Sequence, residues 1–191
     1  MSRWQPNARG RLRQAALELY GEHGYDQTTV AQIAERAGLT ERTFYRHFAD
    51  KREVVFSGEV RDVLVSTLAG APPSATPMQA VTAALDAAGE VLDQRRDMTR
   101  RRQAVIAANP SLQQGEQVKY AALAADMAEV LRERGVEAVA AGLAADAGVA
   151  VFRAAFDRWI RADEHRDFGG LVRDTLDTLT AVIGGLEPLS G

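Results

Sequence analysis

The 191-residue chain contains no cysteine, and its histidines number three, His23, His47 and His165, far apart in sequence. The first absence excludes disulfides, thiolate metal sites and cysteine nucleophiles together, and the second makes a metal centre unexpected. Half of the six prolines fall within residues 71–77, "APPSATP", leaving the rest of the chain free to run as long helices. No apolar run is expected to span a bilayer, because the most apolar stretch, Val136 to Phe152, is interrupted by Glu137 and Asp146. The N-terminal "MSRWQPNARGRLRQ" lacks an apolar segment after its arginines, so no signal peptide is expected and a cytoplasmic location is the expectation. There is no "HExxH", no P-loop, no glycine-rich dinucleotide fingerprint after a strand, and no nucleophile with a neighbouring base. These absences argue against an enzyme, and no cofactor is expected.

What is present is a chain with 46% hydrophobic and 26% charged residues, enough for a sizeable core. Helical periodicity runs throughout and no alternating strand stands out, which predicts an all-α protein. The net charge of −3 conceals an asymmetry: residues 1–52 hold nine Lys or Arg against six Asp or Glu, so only the N-terminal quarter is basic.

That quarter predicts four helices. Leu12, Ala15, Ala16, Leu19 and Tyr20 recur at steps of three and four, giving a first helix over Arg9 to His23 that Gly24 ends. Thr29 with Gln32 forms a capping box before Val30, Ile33, Ala34 and Ala37, and Gly38 supplies the C-terminal cap. Thr40 is the N-cap of a third helix of about two turns. At about 100° per residue, its Phe44 and Phe48 fall on one side, Arg42, Thr43 and Arg46 point the opposite way, and Tyr45 and His47 flank the edges. Asp50 with Glu53 predicts another capping box and a fourth helix from Lys51 to about residue 69. Two short helices joined by a glycine-containing turn, the second with a polar cationic face, form a helix-turn-helix arrangement. A plain amphipathic helix pair would bury the same phenylalanines and solvate the same arginines.

"TTVAQIAERAGLTERTFYRHFADKREVV", preceded by "AALELYGEHGYDQ", resembles the DNA-binding domain of the TetR (tetracycline repressor) family of transcriptional regulators, over about Arg9 to Val55. The resemblance rests on the Gly-Tyr before the second helix, "IAERAGLT", the aromatic pair of "TFYRHF", and the lysine three residues after Phe48. It implies that Thr29, Thr40, Tyr45, His47 and Lys51 hold the sugar-phosphate backbone of double-stranded DNA, and that Arg42, Thr43 and Arg46 face base edges. In many relatives a glycine or alanine stands where this chain has Arg42 or Thr43, so no base preference is carried over. Arg3, Arg9 and Arg11 are either arm contacts to DNA or a solvated tail.

The domain boundary is expected at the proline-rich stretch, giving a DNA-binding domain over residues 1–55, with its connecting helix reaching about 69, and a second domain over 74–191. Helices are predicted over about 77–94, 97–108, 110–134, 138–162 and 168–184. The resemblance implies that this second domain binds a small-molecule effector and forms a homodimer through its last two helices, where Val149, Phe152, Phe156 and Trp159 with Leu171, Leu176, Leu179 and Val182 make apolar surfaces. Candidate pocket residues are Met78, Val81, Leu85, Ile106, Tyr120, Leu123, Met127, Phe152 and Phe156; a stripe of this kind is equally plain core. The arginine-rich residues 95–112 have two readings. They form a solvated face paired with Asp93 and Asp97, or Arg96 and Arg100, at i,i+4, anchor the anionic head of an acyl-CoA-like effector. This run also resembles a subset of the family with acyl-CoA-binding C-terminal domains. The expected function is a ligand-responsive repressor of a palindromic operator; an activator or a small-molecule-binding all-α protein is the alternative.

Overall fold

The computed structural model describes residues 7–56, 58–161 and 163–185, and these hold ten helices and no strand. By its internal contacts the chain separates into two compact units, residues 1–57 with 97–117, and residues 58–96 with 118–191. The sequence boundary differs from this division in two places, keeping the connecting helix to about residue 69 with the first domain and assigning 97–117 to the second. The reason for the latter is a hydrophobic one: Val105, Ile106 and Leu112 are buried in one cluster with Leu12, Phe44, Phe48, Val54 and Val55.

In the first unit, α1 (Ala8–His23) buries Leu12, Ala15, Ala16, Leu17, Leu19 and Tyr20 and stops at Gly24, whose φ of 83° suits glycine. Helix α2 (Val30–Arg36) begins with the expected capping box of Thr29 and Gln32. It ends in a Schellman turn, in which Gly38 N–H donates to Glu35 O and Leu39 N–H to Ala34 O, both at 2.8 Å, with Gly38 at φ 62°. Thr40 caps α3 (Glu41–His47), accepting from Thr43 N–H at 3.2 Å. Asp50 caps α4 (Lys51–Val55), but Glu53 reaches back to Ala49 N–H rather than to the N-cap residue, so the expected capping box is only half made. The single long fourth helix divides as well: α4 ends at Val55, and α5 (Glu59–Ala69) starts afresh behind Gly58.

Helix α7 (Arg96–Ala107) and the first turns of α8 (Pro110–Glu133) complete this unit. Arg102 holds them to the end of α4, donating to Val55 O at 2.8 Å and to Glu116 Oε1 at 3.0 Å, while Gln103 donates to Glu116 Oε2 at 3.3 Å. Glu116 is 8% exposed, so its two partners offset the cost of placing a carboxylate inside.

In the second unit, α5 and α6 (Pro77–Asp93) pack with α9 (Ala138–Trp159), α10 (Phe168–Gly184) and the remainder of α8. Small residues set the closeness of this packing. A Cβ at Gly148 of α9 would lie 2.6 Å from Val81 Cγ1, so glycine admits the α6 side chain there. Phe152, Phe156, Trp159 and Phe168 form an aromatic cluster with ring centroids 5.3–6.0 Å apart. Asp93 ties three helix ends together: it accepts from the Trp159 indole at 2.8 Å and from Phe168 N–H at 3.1 and 3.2 Å. The expectation that Asp93 pairs with the arginine run is thereby corrected, since its oxygens serve the indole and a helix N-terminus. Helix α9 is long and apolar enough to cross a bilayer, contrary to the expectation from Glu137 and Asp146; half of its most apolar window is buried in this core.

Removing the shared acceptor leaves the buried indole N–H and Phe168 N–H without partners. Asp93→Ala is expected to lower unfolding free energy by about 1–3 kcal/mol, measured by urea denaturation with Trp fluorescence, and an unchanged midpoint would refute that role.

Candidate nucleic-acid interface

Helix α3 is fixed from below. Phe44 and Phe48 are 0% and 1% exposed, their ring centroids 5.6 Å apart, and they anchor the helix to α1 and α2. Burying one face of a seven-residue helix settles where the other face points. Arg42, Tyr45 and Arg46 are exposed, with Tyr45 56% exposed and its ring edge-on to Phe44 at 5.5 Å. Thr43 is half-buried, and its hydroxyl is engaged with the Thr40 hydroxyl at 3.1 Å. Thr29 and Thr40 are exposed caps at the starts of α2 and α3. His47 is half-buried, and its Nε2 has no hydrogen-bond partner among the described residues. Seven of the eight sequence candidates therefore lie on α3 or on the caps of α2 and α3.

Lys51 is placed differently from its assigned role. Its ammonium donates to the carbonyls of Tyr25 (2.9 Å), Asp26 (3.2 Å) and Thr28 (3.0 Å) and lies 4.6 Å from the Tyr25 ring centroid. All three of its donors are thus used within the protein. The Lys51 carbonyl in turn accepts from the Tyr20 phenol at 2.7 Å, and burial, aided by neighbouring Tyr25 and Asp50, holds that phenol above its usual range. Lys51 therefore braces the α1–α2 loop against α4, a role that its spacing from Phe48 could not reveal.

The other cations of this segment are likewise committed. Arg36 bridges to Glu22 at 2.9 and 2.8 Å, and this bond holds the Glu22 carboxyl below its usual range. Arg9 lies 5.3 Å from the Phe48 ring centroid, Arg11 donates to Ala37 O, and Arg52 lies 5.8 Å from the Phe56 ring centroid. Arg3 lies outside the described residues.

The effector candidates are more scattered. Val81, Leu85, Leu123, Met127, Phe152 and Phe156 are buried in the core of the second unit, none more than 7% exposed, while Ile106 belongs to the core of the first unit. Tyr120 is half-buried beside Phe152, with Arg153 5.2 Å from its ring centroid. Met78 lines an open cleft of about 580 Å³ formed by α6, α9 and α10, together with Asp86, Leu176, Leu179 and Ile183. Arg96 lies 4.7 Å from the Trp159 ring centroid and donates to the carbonyls of Trp159 (3.2 Å) and Arg166 (2.8 Å); Arg100 is also engaged within the protein. Neither is a free anchor for an anion. His165 sits in a loop in which Glu164 accepts from His165 N–H and Arg166 N–H. Among the described residues no cluster of three or more His, Asp or Glu could hold a metal. The Arg102–Glu116 lock was not among the sequence candidates, because only the helix packing brings its partners to Val55.

Comparison with known proteins gives the family. Residues 12–57 match the model of bacterial regulatory proteins of the tetR family, and residues 75–184 match that of the MftR C-terminal domain. The HTH-type transcriptional regulator TcmR of Streptomyces glaucescens is 40% identical over 88 residues, 44% of this chain and 39% of that protein. The chain thus spans about two fifths or less of the length of the curated relatives it matches. Two solved structures share the fold. A TetR-family regulator from Syntrophomonas wolfei has a TM-score of 0.67 at 15% identity, covering 96% of this chain and 98% of the other. SmeT, crystallised with triclosan, has a TM-score of 0.63 at 22% identity, covering 96% of each chain. With one model matched across the helix-turn-helix and another across more than half the chain, the protein belongs to the TetR family of bacterial regulatory proteins, with an MftR-type C-terminal domain.

Proposed function

We propose that the protein is a dimeric DNA-binding transcriptional regulator, a repressor released from a palindromic operator when a small hydrophobic or amphipathic effector binds its second unit. The observation that carries this reading is the outward face of α3, a cationic and hydroxyl-bearing strip on a helix locked by two buried phenylalanines. Such a helix fits a major groove, with the first-turn residues Arg42 and Thr43 nearest the base edges and Arg46 one turn further on. Thr29, Thr40, Tyr45 and His47 flank that strip and suit the sugar-phosphate backbone. Lys51 contributes by position, holding the loop before α2, rather than as a free phosphate ligand.

Dimerisation is supported by the last two helices. Val149, Phe152, Phe156, Trp159 and Leu171 turn inward, whereas Val139 and Leu143 of α9 and Val182 and Ile183 of α10 are 55–67% exposed. Large apolar side chains held in water on two neighbouring helices suit burial against a second copy, and a dimer presents two α3 helices to two half-sites about one DNA turn apart. The open cleft of α6, α9 and α10, lined by Met78, Leu176 and Leu179, suits the hydrophobic part of an effector. An effector that binds more tightly to the spacing unable to grip DNA must weaken operator affinity, and the reverse holds equally.

Arg42→Ala and Tyr45→Ala are each expected to weaken binding to a duplex selected from a random library by about tenfold or more, with helical content and melting unchanged because both side chains are exposed. Fluorescence anisotropy at moderate salt measures this, and parental affinity in both variants would refute the assignment. The double variant Leu143→Glu with Val182→Asp is expected to sediment as a monomer and to lose cooperative binding to two half-sites; a persistent dimer would place the interface elsewhere.

A further inference from the structure

Resting on the DNA-binding reading above, we infer that Arg42 and Arg46 are guanine readers, and that each operator half-site carries two guanines within a few base pairs of each other, one for each arginine. The inference comes from how the cations of the N-terminal segment are spent. Arg9, Arg11, Arg36, Lys51 and Arg52 each face a ring, a carbonyl or a carboxylate of the protein itself, and Arg13 is engaged as well. Among the described residues up to 56, Arg42 and Arg46 alone have guanidinium groups without a hydrogen bond, ion pair or ring contact. Both are exposed, and both lie on α3 opposite Phe44.

Their spacing sets what they can meet. Residues four apart on a helix project in nearly the same direction, about 40° apart around the axis and roughly 6 Å along it. At that separation on one face, both guanidinium groups reach base pairs within the same stretch of major groove. A guanidinium fork matches the N7 and O6 acceptors of guanine in the major groove, a pairing that no other base edge offers so well. Between the two arginines, Thr43 pairs its hydroxyl with that of Thr40 at 3.1 Å and adds neither a carboxylate nor a guanidinium to the strip. Glu41, exposed at the start of α3, sits a full turn before Tyr45 and leaves the Arg42–Arg46 line clear of a carboxylate, and no ion pair joins Glu41 to either arginine among the described residues.

The test is a selection from a random duplex library with the full-length protein, followed by titration of the selected duplex with single base changes. Each half-site is expected to retain two guanines within a few base pairs of each other, and replacing either by 7-deazaguanine, which removes N7, is expected to weaken binding about 5- to 100-fold. Arg42→Lys and Arg46→Lys keep the charge and lose the fork. Each is expected to abolish discrimination at one guanine and leave the salt dependence of binding nearly unchanged. A selected operator without such guanines, or Lys variants that discriminate as the parent does, would overturn the guanine assignment while leaving the DNA-binding reading intact. Failure to select any sequence would overturn both.

Discussion

The burial of Phe44 and Phe48 is the constraint on which the candidate interface depends. A helix of seven residues has too few internal hydrogen bonds to be stable alone, since nucleation consumes most of what its length returns. Here the helix is held by two aromatic rings sunk into the core with Leu12, Ile33 and Val54, and by the Thr40 cap that satisfies its first turn. Once those rings are fixed, the direction of Arg42, Thr43 and Arg46 follows from helical geometry alone. The polar strip is a consequence of the apolar anchor.

A second layer of control keeps the strip's surroundings rigid. Lys51 spends its three donors on the Tyr25, Asp26 and Thr28 carbonyls of the loop before α2, and the Schellman turn at Gly38 fixes the angle at which α3 leaves α2. Arg102 and Glu116 tie the end of α4 to α7 and α8 within the same unit. Lys51, Arg9 and Arg11, which sequence reading offers to a partner, thus serve the protein's own carbonyls and rings. Among the described residues up to 56, the guanidinium groups left without a partner in the protein are those of Arg42 and Arg46, both on the exposed face of α3.

The second unit is organised by different physics. Alanine and glycine let α6 and α9 approach closely, and an aromatic cluster pinned by Asp93 fills the wider end. The arginine run that drew attention in the sequence is mostly structural: Arg96 covers Trp159 and caps carbonyls, Arg102 locks α4, and Arg95 pairs with Glu59. Pairing and stacking lower the cost of holding these long side chains near the core, which is why so many arginines crowd one short stretch without forming an open anion site.

The sequence by itself determined most of the helices, the caps of α2 and α3 and the polarity of α3, because these depend on residues within four positions of one another: the Thr29–Gln32 box, Gly38, Thr40, and the Phe44–Phe48 pair against Arg42 and Arg46. It also carried the family, through the same short-range pattern. What it did not hold was any property set by partners distant along the chain. The commitment of Lys51 to a loop some 25 residues earlier, the grouping of 97–117 with the N-terminal helices, the use of Asp93 by Trp159, and the sorting of Val182 outward and Leu171 inward were decided by tertiary packing alone. Side chains identical in type acquire opposite roles according to which neighbours the fold brings within about 4 Å, and that distance is not written in local periodicity.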